Sequence, residues 1–343
     1  MEEHFENKIA FSRTLRGSTL MIVSLLMLIG GCFVSLSSGS TSILHNEIWN
    51  SFFHFNSENN EHLIIQDLRL PRTLAAMFVG AGFAVAGAIM QGVTQNPLAD
   101  PGLLGVNAGA QFMLIIIFAF APAMTFPYII YFCFLGAGLG AALVYGIAYL
   151  SSGVMTPVKL ALAGAVVSAV LVGVSQGLSI LLELNYDLAF WSAGGVSGAE
   201  WTQVKVIIPW ILIGLLMAIL LSSKITLLNL GDEMAVGLGQ RTLLIKIGAA
   251  VSVFLLAGSA VSTVGGVSFV GLLVPHIVRF LIGTDYRWII SLSILIGAAT
   301  VLWADILAKT INAPYETPIG SIVSLIGVPF FIYLARKQRR ELY

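Results

Sequence analysis

The sequence predicts an all-α integral membrane protein with about ten transmembrane helices. Of its 343 residues, 57% are hydrophobic and only 10% are charged, whereas charged residues make up about 25% of a typical soluble domain. Ten apolar runs approach or exceed the roughly 20 residues that cross a hydrocarbon core. Lysine and arginine collect at alternate ends of these runs, which is the pattern of a multi-pass protein with a fixed orientation.

The apolar runs define a membrane domain at residues 18–335. Residues 1–17 and the basic segment 336–343 remain as terminal tails. The polar segments 39–68 and 222–241 are long connections within the domain. The predicted helices, numbered one to ten, span 18–38, 70–93, 103–122, 127–150, 157–182, 206–223, 242–263, 267–283, 288–309 and 319–335.

The distribution of positive charge predicts the orientation. With the N-terminus inside, thirteen of the seventeen lysines and arginines fall in cytoplasmic loops or tails, as the positive-inside rule requires. An even number of helices then places both termini in the cytoplasm. The thirteen are Lys8, Arg13, Arg16, Lys159, Lys224, Arg241, Lys246, Arg279, Arg287, Arg336, Lys337, Arg339 and Arg340. The other four, Arg69, Arg72, Lys205 and Lys309, fall on the external side.

Several classes of function find no support in the sequence. The formal net charge is zero, and no basic patch with interleaved aromatic residues predicts a nucleic-acid partner. Cys32 and Cys133 lie inside apolar runs, so neither a disulfide framework nor a metal site is predicted. The external histidines lack ligand-like spacing. No GxxxxGK[ST] phosphate loop occurs, so any ATP must be hydrolysed by a partner.

The second predicted helix carries a stripe of small residues. Between Leu74 and Val93 these residues recur at every fourth position, so they share one helix face. Small residues let transmembrane helices approach closely. We therefore expect this face to pack against other helices. The stripe consists of Ala76, Gly80, Ala84 and Ala88.

A turn broken by prolines follows this helix. We expect Asn96 to cap and Pro97 to open a short helical turn. Pro101 would end that turn before the next apolar run begins at Leu103, and Asp100 belongs to the same structural motif.

Three motifs in this region, LRLPR at 68–72, GAIMQ at 87–91 and NPLADPGLLGVNAGA at 96–110, resemble the signature of the iron-chelate and cobalamin permeases. These are the membrane subunits of ABC importers, and the resemblance covers nearly the whole chain. It implies two structural halves of opposite orientation, helices 2–5 against helices 7–10.

The resemblance also implies partners. They are a second permease subunit in a homodimer or heterodimer, two ATPase subunits and an extracytoplasmic substrate-binding protein, assembled in the lipid bilayer of a bacterial cell membrane. The resemblance implies no cofactor. It favours iron–siderophore complexes as substrate, with haem or cobalamin as alternatives.

A cluster of positive charge on the external face corresponds, by resemblance, to the site that docks acidic residues of the binding protein. Arg69 and Arg72 begin the second helix, and Lys309 ends the ninth. The family usually has arginine at the third position; lysine keeps the charge but lacks the planar fork that grips a carboxylate. Snorkelling anchors at the membrane interface are the alternative interpretation. As exposed ion pairs they would contribute roughly 0.2–1 kcal/mol each.

The longest cytoplasmic connection, Ser222 to Arg241, contains the pattern of a short helix between two glycines. It resembles the coupling helix of the family, which rests in a cleft of the ATPase subunit. A plain loop is the alternative, although simple links between helices rarely need about twenty residues. The residues predicted to couple are Gly231, Asp232, Glu233, Ala235, Gly237 and Gly239.

The fifth predicted helix carries small and weakly polar residues. By resemblance, this helix lines the translocation pathway together with its symmetry mate. Generic helix packing explains the same pattern almost as well. The predicted pathway residues are Gly164, Ser168, Gly173 and Gln176, with Gln91 of the second helix as a weaker candidate.

Two further polar sites lie within apolar helices. Asp305 would be costly near the bilayer centre, and we expect it to pair with Lys309 four residues on or to cap a neighbouring helix; a proton path is the alternative. Pro275 and His276, in the motif GLLVPHIVRF, lie near the cytoplasmic end of the eighth helix. We interpret them as structural support for the ATPase contact.

Two competing functions are disfavoured, and no catalytic residue is predicted. An intramembrane serine protease would use Ser175 or Ser197, but Ser175 lies inside a helix, and the predicted topology places His276 near the opposite face from Ser197. An ion-coupled transporter would need exchangeable buried carboxylates, and Asp305 is the sole good candidate. The sequence therefore favours the importer.

Overall fold

The computed structural model describes residues 2–39, 43–151, 156–313 and 315–341, and the secondary structure of the described residues is helical throughout. Fifteen α-helices are present in these ranges. The first eight are α1 (Glu2–Ser37), α2 (His45–Phe53), α3 (Asn60–Leu63), α4 (Leu70–Thr94), α5 (Val106–Phe120), α6 (Phe126–Leu150), α7 (Pro157–Leu181) and α8 (Asn185–Ala193). The remaining helices are α9 (Trp201–Leu228), α10 (Asp232–Gly237), α11 (Thr242–Val253), α12 (Ser259–Val264), α13 (Val270–Ile282), α14 (Tyr286–Thr310) and α15 (Ile319–Glu341).

Ten apolar segments in the described residues correspond to the ten predicted transmembrane helices, which confirms the fold class. Seven are long and apolar enough to cross a membrane, and three are shorter. The seven are Thr14–Ser37, Asn60–Thr94, Phe126–Leu150, Val158–Leu181, Trp201–Leu228, Thr242–Val264 and Tyr286–Thr310. The shorter ones are Val106–Phe120, Val270–Ile282 and Ile319–Ile332. The sixth helix is longer at both ends than the predicted 206–223.

Helix α4 lies at the centre of the bundle, and its predicted packing stripe is confirmed. Ala76, Ala84 and Ala88 are fully buried. At Gly80, a Cβ atom would lie 2.2 Å from the carbonyl oxygen of Gly297 on α14. Only glycine therefore allows α4 and α14 to approach this closely, as small residues do between transmembrane helices.

The turn after α4 differs from the prediction. Asn96 accepts a hydrogen bond from the backbone N–H of Leu98 at 3.0 Å, but no helix follows there. Asp100 is the residue that caps, because its Oδ1 accepts from the N–H of Gly102 at 2.7 Å. Pro101 begins a 3-10 helix, Pro101–Leu104, where the prediction had it end one. Its fixed φ suits a first helical position and holds the preceding residue extended.

Within the polar segment 39–68, the structure describes residue 39 and residues 43–68, and residues 43–68 are largely helical. Helices α2 and α3 form a small cap over the end of α1. Ile48 and Ile65 are buried in its own apolar cluster. The His62 side chain is also buried, with Nε2 3.2 Å from Glu47 and Nδ1 accepting from the backbone N–H of Asn56 at 3.0 Å. His62 therefore helps to hold the cap together.

Candidate functional site

Polar side chains concentrate at two ends of the helix bundle. The first, here the Arg72 end, contains Arg72 and its neighbours at the start of α4. The second, here the Arg279 end, contains Arg279 near the end of α13. Helix α4 runs between them, so each end links α4 to the second half of the chain.

At the Arg72 end, an arginine of α4 binds an aspartate of α14. Arg72 Nη2 lies 2.8 Å from Asp305 Oδ1, and Nε donates to the same oxygen at 2.9 Å. The carboxylate is fully buried, and the arginine side chain is 12% exposed. Nε also donates to Oδ2 at 3.2 Å, so one guanidinium edge contacts both oxygens, which gives both strength and a fixed orientation. This pair joins α4 to α14.

The other two cations at this end bind the last turn of α1. Lys309 Nζ donates to the carbonyl oxygen of Ser35 at 2.8 Å and to its hydroxyl at 3.0 Å. Arg69 Nη1 donates to the carbonyl oxygen of Leu36 at 2.6 Å. The final carbonyls of a helix have no intrahelical donor and carry partial negative charge. Both side chains therefore complete the end of α1.

These contacts correct one prediction, the exposure of the cations, and confirm another, the pairing of Asp305 with Lys309, to which they add Arg72. The three cations do lie together, but Arg69 and Lys309 are each 8% exposed, where the sequence predicted exposed ion pairs. Lys309 Nζ lies 3.8 Å from Asp305 Oδ2, so it is a secondary partner of the aspartate, and Arg72 is the main one. The reason is geometric, because Arg72 approaches from another helix and reaches both carboxylate oxygens.

Glu316 is a second carboxylate bound to Arg72. Its Oε1 lies 2.5 Å from Nη1, and its side chain is 42% exposed. It belongs to the connection between α14 and α15. Two cavities of about 480 and 430 Å³ meet at the Arg72–Glu316 contact, since both are lined by these two residues and by segment 197–199. Aromatic residues of α8 and nearby helices line the larger cavity, and Arg69 and Lys309 line the smaller one.

At the Arg279 end, Gln91 of α4 supplies a hydrogen-bond donor that is missing within α13. Pro275 has no N–H, so the carbonyl of Gly271, four residues earlier, lacks its helical donor. Gln91 Nε2 donates to that oxygen at 3.1 Å. A Cβ on Gly87 would lie 1.9 Å from the same oxygen, so glycine is needed where α4 approaches α13. Neighbouring side chains commonly satisfy the carbonyls that proline frees in membrane helices.

Arg279 joins the same network. Its Nη2 donates to Gln91 Oε1 at 2.8 Å and to the hydroxyl oxygen of Tyr286 at 3.3 Å. Gln91 is 1% exposed and uses both ends of its amide. The structure therefore gives Gln91 a packing role in place of the predicted pathway role. Next to Pro275, the His276 ring meets Phe330 of α15 edge-on, with centroids 5.7 Å apart, so this motif holds α13 against α15.

The predicted short helix in segment 222–241 is present as α10. Gly231 and Gly239 flank it with φ values of 122° and 78°, conformations that favour glycine. Ala235 is buried at the base of α10, and Asp232 pairs with Lys246 of α11 at 2.5 Å. Glu233 and Gly237 are exposed. Three exposed apolar side chains stand on or beside the helix, namely Met234, Val236 and Leu238.

Helix α7 has one packed face and one open face. Gly164 is buried, and a Cβ there would lie 1.8 Å from the carbonyl oxygen of Leu103. Its predicted pathway role is therefore replaced by close packing. Gly173 and Gln176 lie on the exposed face, and Ser168 is half-buried at its edge. Within this chain, two of the predicted pathway residues thus remain open to a solute or to another subunit.

Comparisons with known proteins bear directly on this arrangement. The FecCD transport family matches residues 26–337. The iron(3+)-hydroxamate import system permease protein FhuB of Bacillus subtilis is 47% identical over 331 residues, which cover 96% of this chain and 86% of that protein. The Fe(3+)-citrate import system permease protein YfmD of Bacillus subtilis is 44% identical over 320 residues, covering 93% of this chain and 95% of that protein.

A solved structure agrees with the sequence comparisons. A metal-chelate type ABC transporter in an inward-facing conformation superposes with a TM-score of 0.81 and 26% identity, covering 93% of this chain and 99% of that one. The family match covers nearly all of the described helices, and the motifs that predicted it form the packed centre of the bundle. The chain therefore belongs to the FecCD transport family and is a membrane permease of the ABC importer type.

Proposed function

We propose that the chain imports ferric siderophore complexes, with hydroxamate chelates as its first candidates. The observation that carries the proposal is the 47% identity, over nearly the full length, to a permease named for iron(3+)-hydroxamate import. A permease named for ferric citrate follows at 44%, so citrate is the second candidate. Haem and cobalamin are less favoured, because the names of these two relatives specify iron chelates.

Uptake in a deletion strain tests the substrate. Cells lacking this permease would be given radiolabelled iron as a hydroxamate, a citrate or a catecholate complex, and separately haem and labelled cobalamin. We expect hydroxamate uptake to stop and to return with the plasmid-borne gene. Normal hydroxamate uptake together with loss of any other substrate would contradict the assignment.

The proposal includes a separate ATPase that contacts α10. Support comes from the exposed Met234, Val236 and Leu238, which form a small apolar surface beside a loop of polar residues. The Arg279 end would then face the cytoplasm, as would both termini, and the Arg72 end would face the binding protein outside. The positive-inside rule supports this orientation, since Lys224, Arg241 and Lys246 flank α10.

Substitution of Gly239 tests the coupling role. Gly239→Val would strain a backbone with φ of 78°, and such strain costs about 1–3 kcal/mol. We expect α10 to shift, so that ATP hydrolysis no longer drives uptake while the protein still inserts. Gly30→Val is the matched control, because Gly30 lies inside α1, away from the coupling segment, and a Cβ there meets nothing within 4 Å. Parent uptake at parent ATP consumption in Gly239→Val would refute the assignment.

We assign the exposed face of α7 to the contact with a second permease and to the pathway between the two. Gly173 and Gln176 are exposed there, and a Cβ on Gly173 meets nothing within 4 Å. Gly173→Trp should block uptake without loss of folded protein. Gly146→Trp on α6, where a Cβ also meets nothing within 4 Å, should transport normally. Equal uptake by both variants would remove α7 from the pathway.

A further inference from the structure

Arg72 binds two carboxylates through different edges of one guanidinium. Its Nε and Nη2 bind Asp305, and its Nη1 binds Glu316. The two carboxylates differ in exposure. Asp305 is fully buried on a rigid helix, whereas the Glu316 side chain is 42% exposed in a connecting segment. The inner bond is therefore fixed by packing, and the outer bond is open to exchange.

A backbone hydrogen bond holds the segment next to Glu316 in place, while the Glu316 side chain stays free to exchange its partner. Thr317 donates its backbone N–H to the carbonyl oxygen of Ala308 at 3.1 Å, so the backbone next to Glu316 is tied to α14. Its side chain can leave Arg72 without movement of that backbone. Because the Glu316 side chain is 42% exposed, water screens its bond to Arg72, and another carboxylate can replace it.

We infer that Glu316 is an internal competitor for the partner's acidic side chain: it occupies the outer edge of Arg72 until a carboxylate of the binding protein displaces it. The inference rests on the proposed function, because it needs a docking partner at the Arg72 end. It differs from simple docking, since the partner meets an arginine that is already neutralised. Docking then exchanges one ion pair for another and does not add a new one.

Release of Glu316 has a structural consequence. The Arg72–Glu316 contact stands where the two cavities of about 480 and 430 Å³ meet. The smaller cavity contains the other two cations, Arg69 and Lys309, and the larger one extends to Ser262 and Thr263 of α12. Withdrawal of the Glu316 side chain joins the two spaces. The carboxylate bound to the outer edge of Arg72, whether that of Glu316 or that of the partner, would thus stand between the docking surface and the bundle.

Glu316→Gln tests the competition. The full permease with its ATPase would be titrated, at low and high salt, with the binding protein that supports uptake through it. We expect about two- to fivefold tighter binding at low salt, which is the loss of one exposed competing pair. Glu200→Gln is the matched control, because Glu200 is exposed and lines the same smaller cavity. An equal gain in Glu200→Gln would show a general charge effect and overturn the inference.

Access to the larger cavity supplies a second readout without any partner. Thr263→Cys would be labelled with a negatively charged maleimide in the detergent-purified protein, with the parent chain as background for Cys32 and Cys133. We expect labelling to be about two- to fivefold faster when Glu316→Gln is added. In Thr263→Cys with Glu316→Ala, added acetate should slow the labelling again by occupying Arg72, and chloride should not.

The two measurements separate the inference from the proposed function. If the binding protein binds with strong salt dependence but Glu316→Gln changes neither affinity nor labelling, the competition is refuted and docking stands. If Glu316→Gln accelerates labelling but no binding protein binds the Arg72 end, Glu316 controls the cavity and the proposed docking fails.

Discussion

The two ends of the bundle attach α4 to the second half of the chain in chemically different ways. At the Arg72 end the link is ionic, and its arginine has two carboxylate partners, Asp305 and Glu316. At the Arg279 end the described partners of the arginine are neutral, Gln91 and Tyr286. One end carries exchangeable charge, and the other carries a closed hydrogen-bond network.

The difference shows which end is suited to a changing partner. A carboxylate that is partly exposed can be replaced by another one at little cost. A buried amide that satisfies a proline-freed carbonyl has no such substitute, because each of its atoms already has a partner and an unmade bond there is costly. The Arg72 end thus has a carboxylate partner that can be exchanged, while the Arg279 end has a fixed set of hydrogen bonds.

The largest effect should follow from removal of the inner carboxylate. Asp305→Asn leaves Arg72 and Lys309 buried without their shared counterion, and loss of one member of a buried pair costs about 3–5 kcal/mol. We expect a large fall in the thermal unfolding temperature of the purified protein in detergent. Glu316→Gln, the outer carboxylate, should lower it by far less. Equal falls in the two variants would abolish the distinction between a fixed and an exchangeable partner.

An intermediate effect is expected at the Arg279 end. Gln91→Leu leaves the Gly271 carbonyl and one side of Arg279 without their partner, at about 1–3 kcal/mol. Unlike the ionic end, this loss should not depend on salt, which thermal unfolding at two salt concentrations measures. Gln111→Leu is the control, because the one side-chain hydrogen bond of Gln111 among the described residues is a long one, of 3.4 Å, to Ser192. A salt-dependent loss in Gln91→Leu would mean that charge also governs this end.

The smallest effect tests the one described ion pair that supports α10. Asp232 and Lys246 have side chains that are 52% and 32% exposed, so Asp232→Asn should cost about 0.2–1 kcal/mol, and less at high salt. The unfolding temperature and the ATP-driven uptake rate are the measurements. A loss as large as that of Asp305→Asn would show that exposed and buried pairs are equivalent here.

The sequence predicted the features that depend on local pattern. Apolar length located all ten spans, and glycine spacing located α10 between Gly231 and Gly239. The packing stripe on α4 was predicted because small residues at every fourth position share one face. Each of these inferences uses residues within a few turns of one another.

The sequence did not predict contacts that the tertiary fold creates. Arg72 and Asp305 lie 233 positions apart, and the i to i+4 neighbour Lys309 was the only partner visible locally. Arg69 and Lys309 are buried because they donate hydrogen bonds to the carbonyls at the end of α1. No sequence motif predicts these contacts. The Arg279 end offered a usable signal, because a proline inside one apolar helix and a glutamine inside another each require a polar partner.

The bond from Gln91 to Gly271 constrains how this pair of positions can change over evolutionary time. An alanine at position 275 would restore the missing N–H to α13, and Gln91 would then be needed only as the acceptor for Arg279. In the opposite order, loss of Gln91 while Pro275 remains leaves a buried carbonyl without a donor. The order of the two substitutions therefore matters. Replacement of Pro275 before Gln91 keeps the Gly271 carbonyl bonded at each step, whereas the reverse order leaves it without a donor. The effects of the two substitutions are thus epistatic.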